Sequence, residues 1–239
     1  MMRNGLFWAN HFRRVNVRSV EAFRRAVFDR VLPTFNSISA EADAVAEQRL
    51  GQLGQTSAGP SFEGDIAAEQ AMDAGLEYYV AMTGVYQALI NALTVFLHHL
   101  FEQQLCFFLR KNFLWEPRGG ENLLDVIIER LGGCGVDCKG LDGRPKLGEL
   151  RLVANTVKHA EGRSSRELSV LRPDLFEAPD LKGLGLQAGR PTAKRVSLPL
   201  AGQDLYATPG DLASYFDAVA RFWKELAAAL ETSNGRACV

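Results

Sequence analysis

Residues 78–109 read YYVAMTGVYQALINALTVFLHHLFEQQLCFFL, which is the most apolar run of the chain. Its apolar side chains cover much of a helical circumference, which is typical of a central helix surrounded by others. The run is long enough to cross a bilayer. It also contains Asn91, His98, His99 and Glu102, and polar groups at this density are costly in hydrocarbon. We therefore predict a core helix and no membrane association.

Further helices are predicted on both sides of this run, because apolar residues recur there at helical spacing. The central helix is expected over 61–111, with a break or kink near its glycines, since glycine weakens a helix. The final helix has the strongest signals, with Thr208 as N-cap, Pro209 at the first helical position and Asp211 in the first turn. The remaining predicted helices cover about 19–32 with Ser19 as N-cap, 37–53, 122–131 and 146–161.

These patterns predict an all-α protein, a helical bundle with long central antiparallel helices. Alternation over residues 195–206 is consistent with one small β-hairpin, and the stretch from Ser164 to Phe176 is expected to be irregular. Glycine, serine and proline are frequent over 51–60, which is typical of a linker. We therefore predict an N-terminal helical appendage over 1–60 and a larger helical domain over 61–239.

Composition narrows the classes of function. The formal net charge of −1 comes from 27 basic and 28 acidic residues, so the chain is not a globally basic nucleic-acid binder. Four cysteines in a chain of 239 residues do not make a disulfide framework, and no secretory signal is visible, which favours a reduced, cytoplasmic setting. Cys134 and Cys138 have no second ligand pair nearby, so no metal site is predicted.

The segment Leu147 to His159, LGELRLVANTVKH, holds the most specific chemical pattern. On a helical wheel, Arg151, Asn155 and His159 share one stripe, because they are four residues apart. The apolar residues of the segment group about 140° away from that stripe. A histidine that is simply satisfied in the core is expected on the apolar face, and His159 is not there. The apolar group is Leu147, Leu150, Val153, Ala154 and Val157.

Arginine, asparagine and histidine in one row suit phosphate chemistry. Arginine binds non-bridging oxygens, and histidine exchanges protons with a hydroxyl or a leaving group. The alternative interpretation is that the stripe is only the solvated side of a helix, in which case its residues are replaceable at little cost. His98, His99 and Glu102 on the central helix are weaker candidates, since they are equally well explained as polar spots where that helix meets water.

The stretch from Arg151 to His159, followed by Gly162, resembles the motif helix of HEPN domains (higher eukaryotes and prokaryotes nucleotide-binding). The long central helix and the closing amphipathic helix are similar in type to that all-helical fold, over about Ser61 to Glu231. Many HEPN proteins are metal-independent endoribonucleases of toxin–antitoxin or phage-defence systems. Their motif is an arginine, then four to six residues, then a histidine, commonly with asparagine directly after the arginine.

Asn155 and His159 match that motif, whereas Ala154 stands where the motif arginine belongs and Arg151 lies one turn earlier. The resemblance implies His159 as general acid or base, Arg151 or Lys158 as the cation that binds the phosphate, and Asn155 as the residue that orients it. It implies no cofactor, RNA or a nucleotide as ligand, a homodimer with a composite site, and a cognate antitoxin or regulatory partner. The departure at Ala154 leaves a second hypothesis open, an inert helical module that binds RNA, a nucleotide or a protein.

Overall fold

The computed structural model describes residues 5–56, 61–116, 121–138, 140–179, 196 and 204–233. Within these ranges 85% of the residues are helical and no strand is present, which confirms the predicted all-α helical bundle. The hairpin predicted over 195–206 falls mostly outside the described residues. Of that segment, Val196 and residues 204–206 are described, and they are not in strands.

Residues 5–35 form one continuous helical run, here called the N-terminal rod. It consists of α1 (Gly5–His11), a π-helical stretch (Phe12–Val17), α2 (Arg18–Ala26), a second π-helical stretch (Val27–Val31) and a 3-10 turn (Leu32–Phe35). The predicted start at Ser19 is therefore wrong, because Ser19 lies inside the run.

Tertiary packing explains the early start of the rod. The ring of Trp8 lies 4.9 Å from that of Phe108, and the ring of Phe12 lies 4.7 Å from that of Trp223. Burial of these two large aromatic side chains stabilises a helical start that has no capping signal in the sequence.

Helices α3 (Ile38–Thr56) and α4 (Ser61–Phe113) form an antiparallel pair. Helix α4 is continuous over its 53 residues, so the predicted break near its glycines is wrong. At Gly75 the missing side chain has a packing role, since a Cβ atom there would lie 2.9 Å from the backbone oxygen of Ala42. The glycine thus permits close approach of α3 instead of interrupting α4.

The C-terminal half of α4 lies in the core. It packs against the N-terminal rod, α5 (Leu123–Gly133), α6 (Arg144–His159) and α8 (Pro209–Thr232). By length and composition the 64–113 segment passes as a membrane span, a test that the core helix of a soluble protein also passes. The fully buried side chains of the core include Leu97, Leu105, Phe108, Ile127, Leu150, Tyr215, Phe222 and Trp223.

The predicted start of α8 is confirmed. The Thr208 hydroxyl accepts a hydrogen bond from the backbone nitrogen of Asp211, and the Asp211 carboxylate accepts one from the backbone nitrogen of Thr208. This capping box satisfies two backbone donors at the helix start.

Two polar residues of α4 hold the segment that leads into α8. The Asn91 side chain donates a hydrogen bond of 2.9 Å to the backbone oxygen of Leu205, and Gln87 donates one of 2.8 Å to that of Ala207. Asn91 is fully buried, so its amide needs such a partner. These two hydrogen bonds explain why Gln87 and Asn91 are polar within the most apolar run of the chain.

The stretch expected to be irregular is helical for the most part. Helix α7 covers Arg163–Leu171, and a 3-10 turn covers Pro173–Phe176. Leu168 and Leu175 are buried, and α7 packs on α6. Burial of one side of this short element therefore outweighs its weak helical signal in the sequence.

Candidate active site

Helix α6 is a central helix of the bundle. Pro145 stands in its first turn. The helix ends at His159, and the next residue, Ala160, leaves the helical conformation with a φ of 57°. The predicted end at residue 161 is therefore two residues late. The predicted apolar face is confirmed, because Leu147, Leu150, Val153, Ala154 and Val157 are all buried.

Only one side of α6 is open between Leu147 and His159. Leu152 and Thr156, which are outside the predicted apolar face, are also buried. The residues that are not buried all fall within a sector of about 100° on a helical wheel. They are Gly148, Arg151, Asn155, Lys158 and His159.

The open sector of α6 faces a cavity of about 360 Å³. The predicted residues Arg151, Asn155 and His159 all line it. Two of the weaker candidates, His98 and Glu102 on α4, line it as well. The structure thus brings five residues of the sequence analysis to one cavity, from two helices that are distant along the chain.

The remaining residues of the cavity wall were not predicted. They are Phe101, Leu105, Glu121, Asn122, Leu123, Leu124, Leu147 and Gly148. Asn122 also caps α5, since its side-chain oxygen accepts a hydrogen bond from the backbone nitrogen of Leu124. The sequence indicates where α5 starts. It does not show that α5 and α6 lie beside the same cavity, because that depends on long-range packing.

His98 is the most unusual polar group of the cavity. The residue is only 4% exposed, and its Nδ1 atom has no hydrogen-bond partner. Burial, reinforced by the positive charges of Lys158 and Arg151, lowers the pKa of His98 to about 3. The imidazole is therefore neutral at physiological pH, and its Nδ1 atom is a buried polar atom without a hydrogen-bond partner.

Arg151 provides the positive charge next to His98. It is half-buried, and its Nε atom has no hydrogen-bond partner. A buried N–H group without a partner is costly, and a bound anion or carbonyl group would satisfy it. Lys158 is half-buried and does not line the cavity, but its charge acts on His98.

Two predicted positions lie away from the cavity. His99 is exposed, and its ring nitrogen is 3.0 Å from the side-chain nitrogen of Gln103. Ala154 is fully buried in the core, so the residue at this position cannot reach the cavity. A guanidinium group directed to the cavity therefore has to come from Arg151, one turn earlier.

A buried ionic cluster fixes α6 from the side opposite the cavity. The Glu149 carboxylate accepts hydrogen bonds from Lys146 at 2.9 Å, from Tyr215 at 2.8 Å and from Arg172. Arg172 also pairs with Asp211 at 2.9 Å, which joins the cluster to the capping box of α8. Burial beside Glu149 raises the pKa of Tyr215 far above its usual range, so the phenol stays protonated.

This cluster was not anticipated. Glu149 reads in the sequence as one more charged residue on a helix, and only the packing of α7 and α8 encloses it. Its role is to position α6, because it ties that helix to two others through charged hydrogen bonds.

The described residues contain no group of three or more histidine, cysteine, aspartate or glutamate side chains that could hold a metal ion. Cys134 is disulfide-bonded. Cys138 is a buried free thiol, and burial raises its pKa.

Comparison of the chain with family models, with curated proteins and with solved structures gives no match. The resemblance to HEPN domains stays a prediction that rests on the motif residues of α6.

Proposed function

We propose that the chain is a metal-independent endoribonuclease of HEPN type, which cleaves RNA phosphodiester bonds at the open sector of α6. The observation that carries this proposal is that Arg151, Asn155 and His159 line one cavity together with the buried, neutral His98. If the stripe were only the solvated side of a helix, it would not be expected to line a cavity whose wall carries polar atoms without hydrogen-bond partners.

In the proposed reaction, His159 accepts the proton of a ribose 2′-hydroxyl group. The 2′-oxygen attacks the adjacent phosphorus, and the bond to the 5′-oxygen of the next nucleotide breaks. The leaving oxygen takes a proton from solvent, to which His159 later returns the proton that it accepted. The products are a 2′,3′-cyclic phosphate and a 5′-hydroxyl end.

The other residues stabilise charge and orientation. Arg151 binds the non-bridging oxygens, whose negative charge grows in the transition state. Asn155 orients the phosphate between Arg151 and His159. His98 is neutral, so it acts as a hydrogen-bonding group in the cavity wall and not as a proton carrier. Lys158 adds positive potential near the phosphate.

The test is cleavage of a single-stranded RNA in the presence of EDTA, with mass analysis of the product ends. Wild-type protein is expected to leave cyclic phosphate ends, and His159→Ala is expected to lose about 100-fold or more of the rate. His99→Ala is the matched control, because His99 is exposed and outside the cavity wall. A wild-type protein that cleaves no RNA, or a His159→Ala variant of full activity, contradicts the proposal.

A second candidate function is an inert module that binds RNA, a nucleotide or a partner protein at the same cavity. Ala154 favours it, because this fully buried position has no cation where the HEPN motif has arginine. The module is expected to bind RNA or a nucleotide without turnover, and to lose binding in Arg151→Ala. Arg166→Ala is the control for loss of one exposed positive charge.

A further inference from the structure

Helix α3 and the first part of α4 form a two-helix arm, defined here as residues 38–56 and 64–80. Within the described residues, α3 packs extensively only on α4. The contact between the two helices is close, because Gly75 faces the backbone of Ala42 and the side chains of Ala67 and Ala71 are buried. The arm has no extensive interface with α1 or α2 of its own chain.

The outer side of the arm mixes apolar and acidic residues. Ile66, Leu76 and Val80 are 41%, 60% and 58% exposed. On a helical wheel they share one sector of about 80° with the exposed residues Glu69 and Asp73. Two helices alone cannot bury such a sector, and apolar side chains grouped in this way usually mark an interaction surface.

The charge of the arm is strongly one-sided. The two segments of the arm contain seven acidic residues and one basic residue, Arg49. The N-terminal rod has the opposite balance, since residues 5–35 contain six arginines against Glu21 and Asp29. The arm is thus an acidic segment, and the rod is a basic one.

The outer side of the N-terminal rod matches the arm in composition. Arg14, Arg18 and Arg25 are exposed and make no ion pair within the described part of the chain. Phe7 and Val15 are 58% and 49% exposed on the same rod. The rod therefore presents basic and apolar groups, and the arm presents acidic and apolar groups.

We propose that the arm of one copy docks on the N-terminal rod of a second copy, and that the second arm docks reciprocally on the first rod. Contact between two arms is disfavoured, because it would bring together two surfaces of the same negative charge. The reciprocal contact pairs opposite charges twice and closes a two-fold dimer without leaving a free arm.

This interface is separate from the cavity at α6. No residue of the arm or of the N-terminal rod lines that cavity. The homodimer implied by the HEPN resemblance joins two motif helices, whereas the dimer proposed here joins two other surfaces. Loss of ribonuclease activity and loss of this dimer are therefore independent outcomes.

The test is the molar mass in solution, measured by sedimentation at a series of protein and salt concentrations. Wild-type protein is expected to be dimeric at low salt and to dissociate as salt screens the charges. Reversal of the arm charges by Glu69→Lys with Asp73→Lys is expected to raise the dissociation constant by about tenfold or more. Reversal of the rod charges by Arg14→Glu with Arg18→Glu is expected to have the same effect.

An equimolar mixture of the two double variants provides the decisive measurement. In the heterodimer, the reversed arm of one variant meets the reversed rod of the other, and the unchanged arm meets the unchanged rod. Both contacts pair opposite charges, so a heterodimer is expected to form. Glu129→Lys, an exposed reversal on α5, is the control and leaves the wild-type dimer intact. A monomeric wild-type protein, a dimer insensitive to the rod variant, or a mixture that stays monomeric overturns the proposal. The proposal is also overturned if the wild-type protein is a monomer whose rod binds RNA.

Discussion

The Nδ1 atom of His98 lies 3.4 Å from the Oε2 atom of Glu102, one turn further along α4, and no hydrogen bond joins them. The carboxylate is thus next to a buried imidazole that is neutral, since burial lowers the pKa of His98 to about 3. The α4 side of the cavity therefore carries the neutral His98 and the carboxylate of Glu102, whereas the α6 side carries the positive charge of Arg151. The two walls of the cavity differ in charge.

The buried His98 makes stability depend on pH. Its pKa is about 3 in the folded chain against 6.5 for the ordinary side chain, so the unfolded chain binds the proton more readily between these values. Stability therefore falls as the pH drops below about 6.5, by about 1.4 kcal/mol at pH 5.5. Urea unfolding at pH 7.5 and 5.5 is expected to show this loss in wild-type protein and a smaller loss in His98→Gln. Equal losses in both proteins contradict the assignment.

The same substitution at two glycines of α4 is expected to have opposite effects. A Cβ atom at Gly75 would lie 2.9 Å from the Ala42 oxygen and 3.0 Å from the Ala46 Cβ atom, whereas one at Gly84 meets nothing within 4 Å. Gly75→Ala is expected to destabilise the protein by about 1–3 kcal/mol through overpacking. Gly84→Ala is expected to stabilise it by about 0.5–1 kcal/mol through helix propensity. Denaturant unfolding measures both, and effects of the same sign would refute the close packing of α3 on α4.

Removal of the central carboxylate of the ionic cluster is expected to destabilise the protein. Glu149→Ala removes the acceptor that Arg172 and Tyr215 share, at a cost of about 1–3 kcal/mol, while Arg172 keeps its pairs with Asp174 and Asp211. Glu21→Ala is the matched control, because Glu21 forms an exposed pair with Lys224 at 3.3 Å, which is worth about 1 kcal/mol or less. Thermal unfolding of the two variants compares these losses. Similar losses would show that Glu149 is not a buried anchor of α6.

A side chain that fills the cavity is expected to weaken RNA binding or cleavage without lowering the stability of the fold. Gly148 lines the cavity, and a side chain at this position meets no atom within 4 Å at its Cβ. Gly148→Leu is therefore expected to keep or raise stability, because leucine favours a helix by up to about 1 kcal/mol over glycine. It is expected to lower RNA binding or cleavage by about tenfold or more, since the cavity is occupied. Gly132→Leu on α5 is the control, and equal activity of the two variants argues against this cavity as the site.

Much of the fold was predictable because local signals and tertiary packing agree. The capping residues Thr208 and Asp211 mark the start of α8 in both the sequence and the structure, and the helix predicted over 122–131 corresponds to α5. Prediction failed where packing outweighed the local signal. Ser19 is a good cap by residue type, but the burial of Trp8 and Phe12 extends the helix past it. Gly75 is a weak helical residue, but a close neighbouring helix requires it.

The candidate site was predictable in part for the same reason. The spacing of Arg151, Asn155 and His159 places them on one face of any helix, because that face depends only on helical geometry. Their common cavity with His98 and Glu102 depends on the way α4 packs against α6, and sequence spacing contains no information about it.

The sequence by itself therefore determined the helical class, the apolar face of α6 and the alignment of its polar stripe, since each follows from a period of 3.6 residues. The tertiary structure alone decided that this stripe is the one open side of a central helix, and that it faces a buried neutral histidine. It also decided that Glu149 is enclosed by Arg172 and Tyr215. Burial and long-range contact produce these features, and both arise only when distant segments pack together.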